Sequence, residues 1–109
     1  MHPRPVELPL DGHLTVVELG ARLATAEAAL ERGVSTRLLV NCIRMTGYDV
    51  EARELFVDWN RRMGRRVDRL AVVTTRPMWR LVVAGMALAS GRNMKAFADA
   101  REALEWLAR

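Results

Sequence analysis

A lone cysteine, Cys42, follows the apolar run Leu38-Leu39-Val40-Asn41, at a strand end where phosphatase-type enzymes place a nucleophilic thiolate. Those enzymes need an arginine six positions further on to bind the phosphate, and that position here is Tyr48. The motif fails, and a small buried thiol is the better reading. A single cysteine also excludes an intrachain disulfide and a zinc site built from several cysteines. His2 and His13 fall in a tail and a turn, with no carboxylate or cysteine at ligand spacing, so neither reads as a general base. No catalytic residue, metal or other cofactor is expected.

Polar residues gather after two apolar runs. Arg44, Thr46, Tyr48 and Asp49 follow the first; Thr74, Thr75 and Arg76 follow the second. If the runs are parallel strands, these segments share the ligand face of an open α/β sheet, where two helix N-termini offer free amides to an anion. A phosphate or an acidic side chain could then bind between Arg44, Thr46 and Arg76. The simpler reading is that Thr46 and Asp49 organise a turn and cap a helix while the arginines are solvated, because no glycine-rich phosphate cradle is present. A second group, Arg61, Arg62, Arg65, Arg66 and Arg69, ends one helix and leads to the next strand. Cations there complement the helix dipole on a solvated face; docking onto an anionic partner or lipid headgroups is the alternative.

Four strand–helix pairs must position these residues. Val6 to Leu10 alternates apolar and polar residues and stops at the turn signal Asp11-Gly12, with Pro9 suiting an edge strand. Leu14 to Leu19 has the β-branched content of a hairpin arm. Yet Thr15-Val16-Val17-Glu18 forms a capping box, and Val16, Leu19, Leu23, Ala26 and Leu30 follow helical spacing up to Gly33, which favours a helix. Arg37 to Asn41 is a strand buried on both faces, Cys42 to Tyr48 a loop, and Asp49 caps a helix to about Arg65 with Ala52, Leu55, Phe56, Trp59 and Met63 inward. Leu70 to Val73 is the next buried strand. Pro77 opens a helix that ends at Ser90-Gly91. Met94 to Phe97 is a last short strand. Asp99-Ala100-Arg101-Glu102 starts a helix with Ala103, Leu104 and Leu107 inward. Such alternation implies a mostly parallel sheet with right-handed crossovers.

At 109 residues the chain suits one domain, and its hydrophobic half with 28% charged residues is an ordinary globular balance. The net charge of +4 comes almost wholly from arginine, Lys95 being the one lysine. Arginine suits carboxylates and phosphates. The thirteen acidic residues are interspersed, however, and no long basic run exists, which argues against nucleic acid. No apolar signal core follows the start, and the longest apolar run, Leu81 to Ala89, is about half of a membrane span. A cytoplasmic protein without a transmembrane segment is expected.

The third helix is unusual. Met78 to Ala89 carries one charge, Arg80, in twelve residues. A helix apolar all round is covered on both sides. Trp79, Val82, Val83 and Met86 are therefore candidates for a contact with a second copy or a lipid. Burial under the C-terminal helix, Trp106 included, is the equal alternative.

The stretch Leu38 to Asp49 resembles the signature of STAS domains, in which an apolar strand runs into a Ser- or Thr-containing segment and an Asp starts a helix. The SpoIIAA-like (STAS/SEC14-type) branch is similar in Thr46-Gly47-Tyr48-Asp49 with Glu51-Ala52-Arg53, Leu55-Phe56 and Trp59. It is similar also in Arg69 with Ala71-Val72-Val73, and in the ending Ala96-Phe97, Asp99, Glu102-Ala103-Leu104 and Trp106-Leu107. The similarity runs from about Gly12 to the end. It implies a single α/β STAS-like domain over residues 6–109 behind a tail of residues 1–5, with a mostly parallel sheet of four to five strands and about four helices.

The resemblance further implies a bacterial, non-catalytic regulatory module like an anti-sigma-factor antagonist, with a protein partner, a regulator or a second copy. The alternative it implies is a SEC14-like carrier of a lipid or nucleotide. Partner or anion contacts would fall on Arg44, Thr46, Tyr48, Asp49, Glu51, Thr75 and Arg76. In phosphorylation-switched members the Asp precedes Ser-Ser-Gly and the first serine is the kinase target. Here Asp49 precedes Val50-Glu51-Ala52, so that switch is expected to be absent. Such domains also have a strand before the one at Val6. The short N-terminus implies either an open sheet edge or a hairpin that draws on Leu14 to Leu19.

Overall fold

Leu70, Ala71, Val72 and Val73 include no side chain suited to water, and a strand of that composition must be covered on both faces. In the computed structural model, which describes residues 4–33 and 35–109, this strand lies inside a four-stranded, wholly parallel sheet. Residues 1–3 of the expected tail, His2 among them, lie outside the described residues. The elements are β1 (Val6–Leu14), α1 (Val16–Glu31), β2 (Arg37–Tyr48), α2 (Val50–Met63), β3 (Arg69–Val73), α3 (Pro77–Ser90), β4 (Met94–Phe97) and α4 (Ala100–Leu107). The strands stand in chain order, β1-β2-β3-β4. Each strand is added beside its predecessor, so crossovers of one hand put α1, α2 and α3 on the same face. The larger core lies there, around Leu8, Leu19, Leu38, Val40, Phe56, Trp59 and Val83. On the other face α4 buries Ala103 and Leu107 against Leu39, Ala71, Val73 and Phe97.

Local signals act as read at most boundaries. Thr15 Oγ1 accepts the Glu18 amide at 3.2 Å and starts α1, and Gly33 follows its end with φ +74°. Leu14 closes β1 and Val16 opens the helix, which settles that ambiguous stretch. Asp99 Oδ1 accepts the Arg101 amide at 2.8 Å and starts α4. The helix after Asp49 ends at Met63, because Gly64 (φ +56°) breaks it into a short 3-10 turn over Gly64–Arg66.

The structure corrects three expectations and decides between two alternatives left open. Asp11-Gly12 makes no turn: β1 continues to Leu14, paired in parallel with β2. Cys42 to Tyr48 is no loop but the second half of a twelve-residue strand. Two register shifts explain both errors. Between Pro9 and Asp11 and again between Gly12 and His13, β2 carries one residue more than β1. Each extra residue spoils the period-two pattern, and that makes a bulged strand read as a loop. It also turns Cys42 and Met45 to the same, inner face. Of the two alternatives for the N-terminal side, the open edge holds: β1 ends the sheet among the described residues, with no hairpin from Leu14 to Leu19, and Pro9 sits on this edge strand, as expected. The third correction is Leu104, expected inward, which faces solvent. Eight residues of α4 over a narrow sheet bury one stripe, and Leu104 lies off it.

Candidate functional site

The carboxyl end of the sheet gathers most of the polar candidates. The Arg76 guanidinium lies 4.5 Å above the Trp79 ring and donates to the Met45 carbonyl at 3.3 Å. Tyr48 meets Trp79 edge-on at 5.4 Å between ring centres. Arg80 donates to the Thr74 carbonyl at 3.0 Å, while Thr74 Oγ1 accepts the Arg76 amide at 3.3 Å. These contacts strap the start of α3 to the end of β2. Arg76, although an exposed residue, therefore has its guanidinium held against the fold by hydrogen bonding and cation–π attraction. Arg44, Thr46 and Thr75 are exposed at the same end, and Glu51 is exposed in the first turn of α2, where the dipole favours its charge.

Asp49 precedes α2 as expected, yet its side chain makes no cap hydrogen bond. It bonds instead to His13, with Nε2 2.8 Å from Oδ1. The Asp49 amide also donates to the Leu14 carbonyl at 3.0 Å, so the end of β1 is tied twice to the start of α2. Gly47 makes room for this: a methyl group there would stand 3.0 Å from His13 Nδ1. The sequence around His13 offers no carboxylate at ligand spacing, and the structure supplies one. Its partner lies 36 residues away in sequence, and only the parallel pairing of β1 with β2 brings the two together.

Cys42 is buried on the inner face, and burial pushes its thiol up from 9.0 to about 12. A thiol so far from ionising is no nucleophile at neutral pH. It lines an apolar cavity of about 80 Å³ between the sheet, α2 and α3, together with Met45, Phe56, Trp79, Val82 and Met86. No group of three His, Cys, Asp or Glu residues capable of holding a metal occurs among the described residues.

The arginine cluster is taken apart by the fold. Arg61 donates twice to the Ala89 carbonyl at the end of α3, at 3.0 and 2.7 Å. Arg62 pairs with Glu27 at 3.3 Å, and Arg66 with Glu31 at 3.5 Å. Arg69 donates to the Trp106 carbonyl at 2.7 Å and sits 5.4 Å over its ring. Four of the five thus join one element to another.

For α3, burial under the C-terminal helix is ruled out, since α4 packs on the opposite face of the sheet, with Trp106 against Phe97 at 5.7 Å. Val83 is buried against the sheet, and Trp79, Val82 and Met86 are half-buried along the inner cavity. The side facing solvent belongs to residues the sequence reading did not single out. Met78 is 70% exposed, Leu81 68% and Leu88 86%, and Pro77, Ala84, Gly85 and Ala89 fill the rest of that face. It carries no charge. A helical wheel would have shown this stripe once the inward side was known, and the inward side needed the fold.

A strap of arginine and aromatic rings, a bulged second strand leading to an Asp before α2, and a parallel sheet with α4 behind it make up the frame. The family model described as SpoIIAA-like matches residues 6–108. The chain belongs to the SpoIIAA-like family. Among solved structures, it is similar to an uncharacterised protein of the DUF3478 family with a SpoIIAA-like fold from Shewanella loihica PV-4. That likeness has a TM-score of 0.72 and 21% identity, over 93% of this chain and 82% of the other. It is similar as well to the anti-sigma factor antagonist SpoIIAA in its unphosphorylated form, with a TM-score of 0.66 and 22% identity over 97% and 91% of the two chains. At these identities the likeness shows the fold: a single STAS-like domain. No curated protein matches. No helix among the described residues is long and apolar enough to cross a membrane.

Proposed function

We propose that this SpoIIAA-like domain is a non-catalytic regulatory module of the cytoplasm that docks on a protein partner and works without serine phosphorylation. One observation carries the reading: the solvent face of α3 exposes Met78, Leu81 and Leu88 with no charge among them. Contiguous apolar surface of this kind marks a contact site. Two further features support it. By the resemblance to STAS domains, Val50, the residue after Asp49, would take the place of the kinase-target serine, and the one thiol is buried and protonated. Arg44, Thr46, Tyr48, Asp49, Glu51, Thr75 and Arg76 would then serve as the polar margin of the contact at the carboxyl end of the sheet. The test is capture of partners from the source organism. Wild-type protein should retain a partner that the folded Leu88→Glu variant loses, and retention by both would sink the reading.

The cavity beside Cys42 favours a second reading, a carrier of a small apolar ligand. Its size weighs against that reading. Drug-sized ligands occupy pockets of roughly 300–1,000 Å³, and about 80 Å³ holds no lipid chain unless α3 moves. Native mass spectrometry of protein from its own host separates the two, since a carrier keeps a lipid or nucleotide mass and a docking module does not.

A further inference from the structure

We infer that the outward face of α3 binds the same face of a second copy of this chain about a two-fold axis, which rests on the reading of that face as a docking surface and names its partner. A two-fold contact uses one patch on both subunits, so the patch must hold both a projection and the hollow that receives it. Leu81 and Leu88 lie seven residues apart on one side of α3, a ridge about 10 Å long. Beside it runs an open groove between α2 and α3 of about 560 Å³, with Val57, Val82, Gly85 and Ala89 among its lining residues. Gly85 has nothing within 4 Å of where its Cβ would stand. A glycine inside a helix costs roughly 1 kcal/mol relative to alanine, and here it lowers the floor beside the leucine ridge. Ridge and groove adjoin, so one rotation seats each ridge in the other groove.

Charge selects among partners. The groove carries Arg53 and Arg61 against Glu54 and Asp58, two of each sign. Asp58 and Arg61 already pair at 3.5 Å, and Arg61 also holds the Ala89 carbonyl. An anionic bilayer or nucleic acid would gain no net attraction there and would meet Glu54 and Asp58. The face suits an apolar, electrically balanced partner, and it meets that description itself.

The experiment is sedimentation of the full chain over a wide concentration range, with circular dichroism to report folding. Wild-type protein should approach twice the mass of the chain. Leu81→Glu and Leu88→Glu should each sediment as single folded chains, because a charge on either leucine would be buried unpaired. Val17→Glu, at a position 79% exposed on α1, should keep the doubled mass. A wild-type protein of single mass throughout overturns the inference, as does a doubled mass in both leucine variants or its loss in Val17→Glu. If the glutamate variants unfold, the double truncation Leu81→Ala with Leu88→Ala decides, since it removes the ridge and adds no charge: a folded chain of single mass supports the two-fold contact, and a doubled mass overturns it. A single-mass wild type whose Leu88→Glu variant still loses its host partner leaves the docking face standing with a different occupant.

Discussion

The helices α3 and α4 pack on opposite faces of one sheet and use their residues in opposite ways. α4 has eight residues, buries Ala103 and Leu107, and turns Arg101, Glu102 and Glu105 to water beside one apolar residue, Leu104, at 43% exposure. α3 has fourteen, buries Val83 and Ser90, and turns Met78, Leu81 and Leu88 to water while its one charge, Arg80, bends back to the Thr74 carbonyl. The first pattern is what folding alone requires of a helix on a sheet. The second goes beyond that requirement, since the exposed leucines stabilise nothing inside the domain. A run of apolar residues kept on the outside with no charge among them points to selection for contact, whereas the one exposed leucine of α4, Leu104, stands among three charged residues.

The contrast is most exposed to failure in paired leucine truncations. Leu107→Ala should cost about 2–5 kcal/mol, a large share of the stability of a small domain, because it empties a filled site against β3. Leu88→Ala should stay within about 0.5 kcal/mol at concentrations where the chain is monomeric. Urea denaturation of both variants checks this, and similar losses would mean that the outer side of α3 is part of the fold.

Cys42 sharpens the same contrast from the inner side of α3. Cys42→Ala should cost about 1 kcal/mol at neutral pH and leave partner binding intact. The folded thiol ionises near 12 and the unfolded thiol near 9.0, so the folded state is the weaker acid. Stability from this group is therefore whole below pH 9.0 and is lost as pH rises from there towards 12. Wild-type protein should lose more stability across that window than Cys42→Ala. Parallel losses, or rapid thiol labelling of the folded protein at neutral pH, would show that the space under α3 is open to water.

A smaller effect concerns the tie between β1 and α2. His13 and Asp49 are both about half exposed, and such pairs contribute about 0.2–1 kcal/mol. Gly47→Ala should displace the His13 ring and lose about that much, and in His13→Ala the same substitution should cost nothing further through this contact. A double-mutant cycle reads the difference. The smallest expected signal is none at all: incubation with a serine kinase that acts on STAS domains should leave Thr46 and its neighbours unmodified by mass spectrometry. Stoichiometric phosphate on Thr46 would restore a switch at the carboxyl end of the sheet and shift attention there from α3.

The order of strands and helices could be read from the chain because each boundary rests on neighbouring residues. Thr15 with Glu18, Gly33, Pro77, Gly91 and Asp99 act within a turn or two of chain, and β3 announces itself by four consecutive apolar residues. Alternation of such elements already implied the parallel sheet. What depends on register or on distant partners was not readable. The bulges of β2 are defined only against β1, so Cys42 to Tyr48 looked like a loop. The His13–Asp49 bond joins residues that no local pattern relates, and the arginines near Arg61 looked like one basic patch until the fold gave four of them separate partners. For α3 the composition showed that one side too many was apolar. Which side the sheet took, and therefore that Leu81 and Leu88 rather than Val82 and Met86 point outward, was decided by the rotation of the helix on its neighbours. Rotation is set by packing against β4 and α2, and a helix whose only polar side chains are Arg80 and Ser90 offers little in its sequence to orient it.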